Sequence, residues 1–204
     1  MFSIEGKLFG ALSRMADLVI LNVLFLLCCV PVITTGAAIT AMYYVAGKMA
    51  ENKEGYIFKS FFKAFKENFK KSTAIWLILL IPFLVASVDL YIMNFMSAGL
   101  GKTFLKGFML LALLLVFFVM IYALTLQGTF ENTIKNTIKN AVLISLGNVP
   151  WSLLVTFLAL SPFIAILYVG EYFSMELLAM LLFWFSGAAY INSFILKRIY
   201  KKFM

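Results

Sequence analysis

Five apolar segments, each long enough to cross a lipid bilayer, recur along this chain and restrict what it can fold into. Crossing ~30 Å of hydrocarbon takes about 20 apolar residues at ~1.5 Å each. The segments cover residues 18–46, 73–95, 104–126, 149–169 and 173–196. Barrel strands would alternate apolar and polar residues over about ten positions. These runs are continuous, and a helix pairs its whole backbone internally, as lipid demands. The predicted fold is an all-α, polytopic transmembrane helical bundle forming one integral membrane domain over 1–204, with cytoplasmic amphipathic helices beside about five spans. Composition agrees: of 204 residues, 64% are apolar and 13% charged, against roughly 45–50% apolar and 25% charged in soluble domains.

The first segment is too long for one perpendicular span and contains Pro31, which removes a backbone donor. It reads as one tilted, kinked span. The alternative is a re-entrant hairpin with arms of about 16 residues, or ~24 Å. Lys7 and Arg14 precede it and small residues follow, as in a signal peptide, but the recurrence of apolar segments favours a retained span.

The formal charge is +8. Basic residues cluster at the segment ends, which suits membrane orientation and anionic headgroups, not nucleic acid. Lys48, 53, 59, 63, 66, 70 and 71, then Lys135 and Lys139, then Lys197, Arg198, Lys201 and Lys202 fall on one side if there are five spans. Lys7, Arg14, Lys102 and Lys106, with Glu171 and Glu176, fall on the other. The positive-inside rule then puts the N-terminus outside and the C-terminus in the cytoplasm of a multi-pass plasma-membrane protein. An even number of spans would bring the N-terminus inside, so the reading of the first segment decides it.

Two connectors are helical. Phe58, Phe61, Phe62, Phe65 and Phe69 form one stripe over 57–71, with Lys59, Lys63, Lys66 and Lys70 on other faces. This is a basic amphipathic helix for a membrane surface or a partner helix. The second, over 129–141, carries Asn132-Thr133-Ile134-Lys135 followed by Asn136-Thr137-Ile138-Lys139, with Phe130, Ile134 and Ile138 on one face. Each connector precedes two spans, the pattern of a parallel internal repeat.

Candidate interaction residues lie in the first and last segments. Asp17, near Arg14 and Asn22, reads either as part of a polar pair that docks a partner or as a helix-start acid favoured by the helix dipole. Gly36 with Thr40, and Ala37 with Ala41, have the small-xxx-small spacing of close helix packing, and Gly187 lies in a similar stretch. These faces serve either the bundle itself or another membrane subunit, a second copy included. Asp89 reads as a boundary carboxylate.

The chain has no His, so it offers neither a Cys/His zinc site nor a histidine base. Cys28 and Cys29 read as small buried hydrophobes. No phosphate loop is present. The expectation is a non-enzyme without cofactor or metal.

Asp17-Leu18-Val19-Ile20-Leu21-Asn22, Cys29-Val30-Pro31-Val32-Ile33-Thr34-Thr35-Gly36-Ala37-Ala38 and Ala41-Met42-Tyr43-Tyr44 resemble the YesL family. Glu54-Gly55-Tyr56-Ile57, Phe61-Phe62 and Phe65-Lys66-Glu67-Asn68-Phe69-Lys70-Lys71 continue the pattern, and Thr35 departs from it, standing where the family often has a hydrophobic residue. Asn22, Pro31, Gly36 and Asn68 match it. The resemblance is specific over about 14–76 and hydropathic beyond. It implies a small membrane protein of Gram-positive bacteria, linked to carbohydrate ABC importers and two-component sensors, with no catalytic residues. The leading expectation is an accessory subunit packing against importer permease helices. A relay to a histidine kinase and a small stand-alone transporter using Asp89 or the 34–40 stretch are the alternatives.

Overall fold

The computed structural model describes residues 4–95, 99–169 and 173–202, and all regular structure there is helical. In chain order the helices are α1 (Ile4–Cys29), α2 (Thr35–Met49), α3 (Ile57–Met93), α4 (Leu100–Thr129), α5 (Ile134–Gly147), α6 (Val149–Val169), α7 (Phe173–Ala179) and α8 (Phe185–Tyr200). A short 3-10 turn, Val32–Thr34, precedes α2, and a π-helical segment, Met180–Trp184, joins α7 to α8.

Among the described residues, four helical stretches are long and apolar enough to cross a membrane: Phe9–Cys29, Ile57–Met93, Leu100–Thr129 and Leu177–Tyr200. A fifth results if α5 and the start of α6, bent by 106°, count as one broken span. Many large apolar side chains face outward, among them Ile81, Leu84, Val85 and Val88 of α3 and Phe104 and Phe108 of α4. Water would penalise such a surface, and hydrocarbon does not. The chain is a multi-pass membrane bundle, as its hydropathy predicts.

The first apolar segment is a helical hairpin, not a kinked span. Pro31 is extended (φ −80°, ψ 116°) and ends α1. Thr34 Oγ1 closes the turn, 2.6 Å from Cys28 O and 2.8 Å from Pro31 O. α2 then returns along α1. The proof lies at the far end, where Arg14 of α1 donates to Met49 O (2.6 Å) and Asn52 Oδ1 (2.7 Å) and pairs with Glu54 (2.9 Å). Arg14 therefore sits with the end of α2, and not across the bundle from Lys48 as five spans would require. At the tip, Val30, Val32 and Ile33 are exposed.

Four of the remaining helices form two more antiparallel pairs. α3 and α4 meet at Asn68–Gln127 (3.3 Å) and Phe83–Phe117 (6.5 Å between rings). α6 and α8 meet at Trp151–Arg198 and Val155–Asn192, and Trp184 of the π-helical segment donates to Ser161 of α6. The end of α8 lies beside the end of α2, where Lys197 donates to Gly47 O.

α3 also corrects the connector. The amphipathic stretch 57–71 and the span from 73 are one 37-residue helix, roughly 55 Å long at 1.5 Å per residue. No Gly or Pro interrupts it before Pro82. The second connector begins later than its periodicity predicts: Phe130 ends α4, and Thr133 caps α5 by accepting from Asn136 N. Asn148 (φ −133°, ψ 44°) breaks the chain before Val149-Pro150, where proline disfavours a continuing helix. The two connectors therefore join their spans differently, one straight and one bent, which removes the geometric basis for a close internal repeat.

Candidate functional site

Small residues bring α2 to the centre. Gly36, Ala37, Thr40 and Ala41 are all buried. Gly36 faces α3: a Cβ there would stand 2.4 Å from Trp76 Cβ and 2.7 Å from Ser72 O. Thr40 faces α4, donating to Leu124 O (3.1 Å) beside Gly128, where an added Cβ would meet Thr40 O at 3.2 Å. These faces serve the bundle and leave nothing for a partner. Their hydroxyls are occupied too: Thr34 closes the hairpin and Thr40 holds α4. Gly187 differs, being half-buried with no atom within 4 Å of an added Cβ.

Asn22 is fully buried and holds the π-helical segment. Its Nδ2 donates to Met180 O and Leu181 O, both at 2.8 Å, and its Oδ1 accepts from Ser186 N at 3.0 Å. Ser186 Oγ in turn donates to Leu18 O (2.8 Å). A π turn displaces backbone groups from the α-helical ladder, and one carboxamide satisfies them. Asn22 is thus a structural clamp between α1 and α8. Asp17 is not a helix-start acid, since α1 begins at Ile4. It is half-exposed and lines an open groove of about 530 Å³ with Ile20, Glu54, Tyr56 and Phe58.

The phenylalanine stripe divides. Phe61 is completely buried in the core, and Phe62 and Phe65 pack against it. Phe58 and Phe69 remain exposed, with Lys59, Lys63, Lys66 and Lys70 outside them. The stripe holds α3 to the bundle, while the lysines present charge outward. Cys28 and Cys29 are free and half-buried at the hairpin turn, and Asp89 is half-buried near the end of α3. Glu171, and the side chains of Lys7 and Glu176, lie outside the described residues.

A site with no sequence precedent lies at the basic end. A cavity of about 250 Å³ opens between α2, α4 and α8. Tyr43, Thr125 and Tyr200 form its interior, Lys48, Glu51 and Lys201 its mouth. Thr125 Oγ1 and Tyr200 Oη share a 2.5 Å hydrogen bond, and Asn192 Nδ2 donates to Tyr43 Oη at 3.1 Å. At the mouth, Lys197 pairs with Glu51 (2.9 Å), and Lys48 Nζ lies 4.5 Å from the centre of the Tyr44 ring. Lys48 and Lys197 are 149 positions apart, so local periodicity has no means of joining them. Among the described residues, no cluster of His, Cys, Asp or Glu is arranged to hold a metal ion.

Glu51 is the titratable element of this mouth. Hydrogen bonds from Lys197 and Lys53, with their charge, hold its carboxyl below the usual carboxylate range. A lowered folded pKa stabilises the fold above the unfolded pKa and loses that contribution as pH falls through the lowered value. The mouth is solvated, so a shallow fall in melting temperature is expected on acidification through that window. Melting curves in detergent should show it, and Glu51→Gln should flatten it.

Residues 18–90 match a family described as a protein of unknown function, DUF624. No curated protein and no solved structure matches the chain.

Proposed function

We propose that this protein is an accessory membrane subunit that packs against the permease helices of a carbohydrate ABC importer. One observation carries the reading: the apolar surface of the α3–α4 pair, where Ile81, Leu84, Val85 and Val88 and, on α4, Phe104 and Phe108 stand exposed. With the small-residue face of α2 used internally, the α3–α4 pair offers a broad bilayer-level surface for neighbouring helices. The resemblance to the YesL family supplies the importer. A photo-crosslinking residue at Val85 or Phe108, followed by purification in mild detergent, should recover permease subunits. Recovery of the chain alone would overturn the reading.

A second reading is favoured by the continuity of α3. A single rigid helix joins the exposed lysine face to the bilayer-crossing half, so a contact on Lys59 and Lys63 would be felt within the membrane. If the protein relays to a histidine kinase, Phe58→Ser with Lys59→Gln and Lys63→Gln should abolish induction of sugar genes while uptake by preformed importer continues. Phe58 is exposed, so folding is spared.

We also infer that both termini lie in the cytoplasm. Arg14 shares its end of the bundle with Met49, Glu54 and, through α2, Lys197. The positive-inside rule assigns that end to the cytoplasm. Green fluorescent protein fused at either terminus should fluoresce, and alkaline phosphatase fused at either should be inactive. An active N-terminal phosphatase would restore the outside placement.

A further inference from the structure

We propose that the cavity between α2, α4 and α8 binds a phosphate group, carried either by a small soluble anion or by an anionic lipid headgroup. Three ammonium groups, Lys48, Lys197 and Lys201, meet one carboxylate, Glu51. Lys197 is committed: it donates to Gly47 O and pairs with Glu51 at 2.9 Å. Among the described residues no carboxylate pairs with Lys48 or Lys201. Lys48 rests on the Tyr44 ring at 4.5 Å, an orientation that fixes the ammonium at the cavity wall.

The last carbonyls of α2 and α8 carry partial negative charge. Lys197 on Gly47 O offsets it at α2, and the Lys201 backbone N–H bonded to Lys197 O satisfies one carbonyl of α8. The remaining field is positive. A cation is repelled there, and a neutral ligand would leave the charge of Lys48 and Lys201 without a counter-charge. A phosphate is attracted by charge and accepts hydrogen bonds from both. The volume of about 250 Å³ accommodates such a group with part of its carrier. Basic pockets between helices at the cytoplasmic leaflet are the usual seats of anionic headgroups.

The test uses the full chain in nanodiscs. In phosphatidylcholine discs, inorganic phosphate is titrated and binding is read by thermophoresis. In a second series, phosphatidylglycerol is added and its retention is counted by native mass spectrometry. Each lysine near a phosphate is worth on the order of fivefold in affinity. Lys48→Gln with Lys201→Gln should therefore weaken binding roughly thirtyfold, and the remote pair Lys59→Gln with Lys63→Gln by less than about twofold. Glu51→Gln removes the opposing charge and should tighten binding roughly fivefold. That gain has the opposite sign to any loss from misfolding. Phosphate binding in phosphatidylcholine discs identifies a soluble source, and phosphatidylglycerol retention without it identifies a lipid. Binding of neither, equal losses in the two lysine pairs, or no gain in Glu51→Gln would overturn the proposal.

Discussion

Gly36→Val is expected to abolish the folded bundle. A Cβ at this position stands 2.4 Å from Trp76 Cβ and 2.7 Å from Ser72 O. Neither neighbour is the movable end of a side chain: one is the root of the tryptophan, the other is backbone. Rotamer change relieves nothing, so α2 and α3 must separate. Separation breaks the hydrogen bond from Trp76 Nε1 to Val32 O (3.0 Å) and opens the core around Ile75 and Ala38. Overpacking commonly costs about 1–3 kcal/mol, and a clash between two helix backbones belongs at or above the top of that range. We expect a loss of at least about 3 kcal/mol, read as collapse of the monodisperse peak on size exclusion in detergent. Gly187→Ala is the control, since an added Cβ there meets nothing within 4 Å. It should be neutral or stabilising by up to about 1 kcal/mol through helix propensity. Equal tolerance at the two glycines would refute the close contact of α2 with α3.

Asn22→Asp tests the clamp on the π-helical segment. The two side chains have the same shape, but aspartate lacks the two donors that Met180 O and Leu181 O receive, both at 2.8 Å. It also sets a carboxylate against two carbonyls in a fully buried position. Each buried polar group left unpaired costs about 1–3 kcal/mol. A loss of about 3 kcal/mol or more is expected, measured by thermal or denaturant unfolding in detergent. Asn22→Leu leaves the same carbonyls bare without adding charge, so it should be less severe than Asn22→Asp. Hydrogen exchange gives the local signature: the amides of 180–186 should lose protection before those of α4. A uniform change along the chain would mean that Asn22 merely fills space.

Several features were readable from local pattern. The apolar runs, the helix break at Pro31 and the lysine-flanked phenylalanine stripe each arise within a few turns of chain, so hydropathy and proline chemistry specify them. The continuity of α3 was readable as well, because no Gly or Pro separates Phe69 from Ile81. The change from polar to apolar composition near Thr73 suggested a boundary that helix geometry does not need. The π-helical segment left no trace in the sequence. Its carbonyls are satisfied by Asn22, 158 positions away from Met180.

The sequence alone determined the solvent of this protein: long apolar helices with lysines and arginines clustered at their ends. The tertiary structure decided what happens at Pro31, because a kink and a hairpin share the same local backbone break. Arg14 reaching Met49 and Glu54 selects the hairpin. It also decided that the small residues of α2 pack inward, and that Lys48, Glu51, Lys197 and Lys201 share one cavity. The physical reason is range: hydropathy and helix breaking act between neighbours in the chain, whereas ion pairs, close helix contacts and cavities are made by residues that only folding brings together.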